Sequence, residues 1–186
     1  LLGHKYLILD PILEKFRKIR KTKNKLIVTL GGSDTWGITP YVMTKLLELN
    51  QKATIILGPA FEHFDAVQKI QSISPKEFFK IKHNVPSLIK EMNSYQIAIT
   101  SGGITPFQAN AMGLPCVVIA TESFEIEVGR YLEKLGCNTY GGFKKDLNVG
   151  SMQFKFPIKE YSRKALEKVD SKGIERVINN IIEFTS

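Results

Sequence analysis

The residues best suited to chemistry in this chain are glycines and hydroxyls. Paired carboxylates and clustered histidines are missing from the pattern. Ser101-Gly102-Gly103-Ile104-Thr105 follows an apolar run, Gln96-Ile97-Ala98-Ile99-Thr100, and leads directly into Pro106 and a helical stretch to Met112. A glycine turn lets backbone N–H groups approach a ligand, and a helix start adds unpaired donors and a positive dipole end. Together they suit a diphosphate. The same pattern also builds tight turns that hold nothing, so the spacing alone leaves both readings open. A second glycine loop, Gly31-Gly32-Ser33-Asp34, ends the run Lys25-Leu26-Ile27-Val28-Thr29-Leu30. Thr105 reads as a helix N-cap, with Pro106 at the first helical position. Gln108 then has capping-box spacing, and it either returns a hydrogen bond to Thr105 or faces outward toward ribose hydroxyls. His4, His63 and His83 are scattered, and no cysteine or histidine spacing matches a metal site. No catalytic residue, metal or cofactor is read from these positions.

The elements that must hold these loops alternate regularly. Strands are expected at 25–30, 53–57, 78–82, 96–100 and 116–120, with a short one near 138–140. Helices are expected at 39–49, 62–73, 85–92, 106–112, 126–135, 158–168 and 171–184. The strand segments are continuous apolar runs, as in Ala53-Thr54-Ile55-Ile56-Leu57 and Cys116-Val117-Val118-Ile119-Ala120. Strands buried on both faces and separated by helices predict an α/β fold. The expected form is a single doubly wound Rossmann-like domain with a mainly parallel sheet. Ligands of such sheets bind beyond the carboxyl ends of the strands, where both glycine loops lie.

Composition is that of a globular domain. The 186 residues carry a formal charge of +8 and two cysteines, Cys116 and Cys137. The cysteines read as reduced, structural thiols, and a cytoplasmic setting is expected. No apolar run reaches the ~20 residues of a membrane span, and no signal-peptide pattern is present. The chain opens at Leu1 and reads there as mid-protein sequence. Much of the positive charge falls in residues 15–25, beside an apolar stripe of Ile12, Leu13, Phe16 and Ile19. That spacing predicts a helix docked by its stripe, its basic face turned to water or to an anionic membrane surface. Signatures of nucleic-acid binding are lacking, and no such partner is expected.

The stretch Ser101-Gly102-Gly103-Ile104-Thr105, with Gln108, Ala111 and Gly113-Leu114-Pro115, resembles the donor-binding segment of MurG-like glycosyltransferases. Three further segments are similar to the PseG/SpsG-type nucleotide-sugar hydrolases. They are the connector Gly3-His4-Lys5-Tyr6-Leu7-Ile8-Leu9, the loop Leu30-Gly31-Gly32-Ser33-Asp34, and Val169-Asp170-Ser171-Lys172-Gly173-Ile174-Glu175-Arg176. The resemblance implies the C-terminal half of a glycosyltransferase B-type fold. Residues 1–10 would be an inter-domain connector and 11–186 the nucleotide-sugar-binding domain. A catalytic or acceptor domain would stand upstream of Leu1. The implied ligand is a nucleotide-diphosphate sugar, UDP-linked. Gly32, Ser33, Ser101, Gly102, Gly103, Ile104 and Thr105 would hold the diphosphate, Gln108 the ribose, and His83, Asn84 and Val85 the base. Hydrolysis of the sugar–nucleotide bond in surface-polysaccharide or modified-sugar synthesis is the first implied activity. Glycosyl transfer and a binding module without catalysis are the alternatives. Two positions depart from the family: its ribose-binding Glu is Gln108 here, and Thr121–Glu127 is acidic, with Glu122 and Glu127 expected at the surface.

Overall fold

The computed structural model describes residues 2–22 and 25–185. Seven strands form one sheet: β1 Leu26–Thr29, β2 Ala53–Leu57, β3 Phe79–His83, β4 Ile97–Ser101, β5 Cys116–Ala120, β6 Asn138–Phe143 and β7 Asp146–Leu147. Their order is β3-β2-β1-β4-β5-β6-β7, parallel throughout except for the β6–β7 hairpin. The helices are α1 Ile38–Glu48, α2 Phe64–Ile73, α3 Leu88–Met92, α4 Thr105–Ala111, α5 Ser123–Lys134, α6 Ile158–Lys168 and α7 Gly173–Thr185. The expected doubly wound α/β architecture is therefore present.

Alternation along each strand divides the core into two layers. Leu26, Val28, Ile55, Ile97, Ile99, Val117 and Ile119 pack with Val42, Met43 and Leu46 of α1 and Val67 of α2. Ile27, Ile56, Ala98, Cys116 and Val118 face the other layer, with Ile89 and Met92, Phe107 and Ala111, and Leu132 of α5. Apolar side chains on both strand faces are the cause of the two-layer cover. A buried amide pair fixes β5 against β6. The Asn138 Oδ1 accepts from the Cys116 N–H at 2.7 Å and from Asn110 Nδ2 at 3.0 Å. Both cysteines are free and buried. Burial pushes the Cys137 thiol up to about 11 and raises that of Cys116 as well.

The basic N-terminal segment departs from expectation. Only a short 3-10 helix forms, Pro11–Phe16, started by the Asp10 carboxylate on the Ile12 N–H at 2.9 Å. The chain then runs extended, and Ile19 is 41% exposed instead of docked. The reason is the destination of two arginines. Arg17 donates to the carbonyls of Ala111, Leu166 and Val169 at 2.6–3.1 Å. Arg20, fully buried, donates to those of Asn93, Tyr95 and Met112 at 2.7–3.3 Å. These carbonyls lie at the ends of α3, α4 and α6, where the helix dipole is negative. Burial pulls Arg20 down to about 10, so it stays charged at neutral pH. Both guanidiniums are thus committed to backbone carbonyls, whereas Lys15, Lys18, Lys21 and Lys25 are exposed. Lys23 of this stretch lies outside the described residues. No helix among the described residues is long and apolar enough to cross a bilayer.

Other boundaries moved for local reasons. The helix expected from Thr39 begins at Ile38, because the Asp34 carboxylate takes the N–H groups of Ile38 and Thr39 at 2.8 and 2.6 Å. The helix expected from Ile126 begins at Ser123, because Glu125 Oε2 accepts from the Thr121 N–H and hydroxyl at 2.7 and 2.8 Å. The short strand expected at 138–140 runs on to Phe143 and folds back as β7.

Candidate functional site

The sheet reverses order between β1 and β4, and the loops leaving these two neighbours carry the two glycine segments. Divergence of the loops at such a point opens a crevice. Here it is a cleft of about 200 Å³. Gly31 and Gly32 from the β1 loop, Gly58 and Pro59 from the β2 loop, Asn84, Val85 and Leu88 beyond β3, and Thr105 at the start of α4 line it. Glycine at 58 is required by the packing. A Cβ there would stand 2.3 Å from the Gly32 carbonyl oxygen and 2.5 Å from that of Gly31. The Ala60 N–H in turn donates to the Gly32 carbonyl at 3.0 Å, and the Asn84 N–H to Leu57 at 3.0 Å. Asn84 takes a left-handed conformation, φ 49°, which asparagine tolerates.

The structure brings four of the expected site residues together in this cleft: Gly32, Asn84, Val85 and Thr105. The others stand around it. Ser101 is buried beneath the β1 loop, its Oγ 3.8 Å from where a Gly31 Cβ would lie. Gly102 packs on α5, leaving no room for a Cβ, which would meet that of Glu125 at 2.6 Å. Gly103 has space, and Ile104 is exposed. Ser33 is exposed and shares a 3.0 Å hydrogen bond with Thr35. His83 stacks edge-on against Phe64, ring centres 5.2 Å apart, and Gln108 is half-buried along α4; neither lines the cleft.

The helix start at the glycine turn differs from expectation. Thr105 is the first helical residue, Ile104 holds the cap position, and no side chain caps α4. The capping-box reading of Gln108 is therefore not realised, because the helix begins one residue too early for Thr105 to serve as its cap. By contrast, the N-terminus of α1 is filled by the carboxylate of Asp34. Of the two glycine loops, the β4 loop thus leaves its helix start without a side-chain cap, although the Glu125 carboxylate stands beside Gly103.

Glu125 was not singled out by the sequence. It is 6% exposed, and its Oε1 lies 3.8 Å from the position of a Gly103 Cβ. Its signal is an acid at capping spacing, three residues after Glu122, hidden because the sequence predicts that helix from Ile126 and not from Ser123. Glu127 is exposed as expected, while Glu122 is half-buried and accepts from the Trp36 Nε1–H at 2.8 Å. Gly58-Pro59, directly after β2, is a further cleft wall that local sequence does not distinguish from an ordinary strand end. No group of three or more metal-ligating side chains occurs among the described residues.

No family model matches this sequence. The chain is 29% identical over 171 residues to an uncharacterised protein of Methanocaldococcus jannaschii, covering 82% of this chain and 35% of that protein. It is 27% identical over 125 residues to the spore coat polysaccharide biosynthesis protein SpsG of Bacillus subtilis, covering 63% of this chain and 36% of the relative. The chain thus spans about a third of the length of these curated relatives. Among solved structures it superposes on MurG of Acinetobacter baumannii with a TM-score of 0.67 at 13% identity, over 92% of this chain and 53% of that one. On the spinosyn rhamnosyltransferase SpnG complexed with thymidine diphosphate the TM-score is 0.61 at 16% identity, over 87% and 46%. Sheet order, glycine-bordered cleft and superposition agree, and the fold is that of a Rossmann-like domain of the B-type glycosyltransferases.

Proposed function

We propose that the cleft binds a nucleotide-diphosphate sugar, UDP-linked, for a sugar-processing enzyme of surface-polysaccharide or modified-sugar synthesis. The observation that carries this reading is the cleft at the β1/β4 reversal, bordered by Gly31 and Gly32 of the first glycine turn and by Thr105 at the end of the second. Asn84 and Val85, with His83 at the rim, take the base. Gly32, Ser33, Ser101, Gly102, Gly103, Ile104 and Thr105 take the diphosphate through N–H and hydroxyl donors. Those donors stabilise the charge that develops when the sugar leaves, without reorganising. Gln108, free of any capping bond, reaches the ribose as an amide that can both donate and accept. Support comes from the thymidine diphosphate bound by SpnG and from the polysaccharide pathway named for SpsG. The free, buried thiols accord with a cytoplasmic setting.

Hydrolysis is the activity we assign to the full-length protein, on the resemblance of the loop and C-terminal segments to the hydrolase branch. Glycosyl transfer is the second reading, favoured because SpnG is a transferase by name. Catalytic groups are assigned to a domain upstream, and the 186 residues bind without turnover. Calorimetric titration with UDP, UDP-sugars, CMP and GDP tests the binding. Saturable heat with a uridine nucleotide is expected, and no affinity for any of the four sinks the proposal. Incubating the full-length protein with a UDP-sugar, with and without an alcohol acceptor, then separates water from acceptor as the attacking group.

A further inference from the structure

We propose that a second site, the groove between α1 and α2, binds an acidic saccharide. The groove shares no lining residue with the cleft. Trp36, Pro40, Tyr41, Thr44, His63 and Lys145 line a hollow of about 370 Å³, within the size range of small-ligand sites. Trp36 is the sole tryptophan and is 47% exposed. Its ring is held from two sides: the N–H is bonded to Glu122, and Lys144 Nζ lies 3.4 Å from the ring centre. An exposed aromatic ring fixed in orientation is a stacking surface whose ordering entropy is already spent. Tyr41 stands in the same groove, with Lys45 Nζ 5.5 Å from its ring centre.

The charges select the ligand class. Lys45 is paired with Glu48 at 3.0 Å. Lys144 and Lys145 form no ion pair among the described residues, and the carboxylate that approaches Trp36 is engaged by the indole N–H. The groove therefore offers aromatic surface together with the Lys145 ammonium on its wall and that of Lys144 beside it on the Trp36 ring. A sugar ring presents C–H faces to stack and, when it carries a carboxylate, an anion for lysine. A neutral chain fills the same hollow and leaves the lysines unmatched. That this saccharide serves as acceptor rests on the function proposed above; its binding does not.

Trigalacturonate is the probe, titrated into the 186-residue protein while Trp36 emission is followed. A saturable change is expected, with binding about tenfold weaker in Lys145→Glu and at least tenfold weaker for maltotriose, a neutral chain of equal length. Calorimetry on Trp36→Ala is expected to show no binding, and on Trp36→Phe partial retention; circular-dichroism melts establish that each variant is folded. No response to trigalacturonate, or equal affinity for maltotriose, overturns the proposal. UDP titrated into Lys145→Glu and Trp36→Phe is expected to bind within twofold of the parent. A parallel loss of UDP affinity overturns a separate site. Saccharide binding in a protein that ignores every nucleotide would leave the groove standing and remove the nucleotide reading alone.

Discussion

The two ends of the sheet are built on opposite rules. At the amino ends of the strands, two arginines are driven into the carbonyl-rich termini of α3, α4 and α6, and six backbone acceptors are satisfied. At the carboxyl ends, the loops are glycine, and the start of α4 carries no side-chain cap. One end has its dipoles neutralised by fixed protein charge, and the other keeps open donors beside a cleft. The exception at the open end sharpens the contrast. Asp34 fills the start of α1, whereas no side chain caps the start of α4. A domain organised this way is braced at the amino ends of its strands and keeps under-coordinated groups at the carboxyl ends, where we propose that a diphosphate takes the place of the missing partner.

This contrast can be broken from either side. The largest effect is expected from Arg20→Ala, which leaves the Asn93 and Tyr95 carbonyls without their donor, reduces Met112 to the Lys18 N–H, and opens a cavity between the helices. Chemical denaturation should show a loss of about 4 kcal/mol, while nucleotide affinity of the folded fraction stays unchanged. Asp34→Ala removes two hydrogen bonds from a carboxylate to the start of α1 and should cost about 1–2 kcal/mol by the same measurement. The fork between Asp170 and Arg176, which also ties Arg176 to the Lys5 carbonyl at 2.9 Å, belongs to the arginine-braced end. Arg176 holds the Asp170 carboxyl down at about 2. A carboxyl depressed in the folded state adds stability above its unfolded value and loses it as pH falls through the folded one. The melting temperature should therefore drop between pH 4 and pH 2 by an amount worth about 1 kcal/mol, discounted for partial exposure. Asp170→Asn should lose that component of the pH dependence. Gly103→Val should change stability least, within about 0.5 kcal/mol, because its Cβ position is open. It should nonetheless weaken nucleotide binding at least tenfold in a calorimetric titration. A collapse of the circular-dichroism melt would instead make Gly103 a structural turn residue.

The fold was legible because each strand is an unbroken apolar run and each return is helical. The strand signals at Ala53–Leu57 and Cys116–Ala120 coincide with β2 and β5, and the helix signal over 158–168 with α6. Failures fell where a polar side chain reaches across the chain to a backbone group. Nothing local shows that Arg17 and Arg20 will seek carbonyls more than 70 residues away, so an apolar stripe beside them read as a helix. The same holds for the helix starts, moved by Asp34 and Glu125. At the site, glycine type and position identified the two turns. The cleft itself also needs Gly58 and the left-handed Asn84, whose importance arises only once β2 and β3 lie beside β1.

Gly58 has a consequence for how such a domain can diversify. Because not even a methyl fits between the second loop and the carbonyls of the first, the two loops cannot change shape independently. An insertion or shift in either must be answered in the other. Ligand range can therefore drift by changes beyond β3 and along α4, while the wall made by Gly31, Gly32 and Gly58 behaves as a single inherited unit.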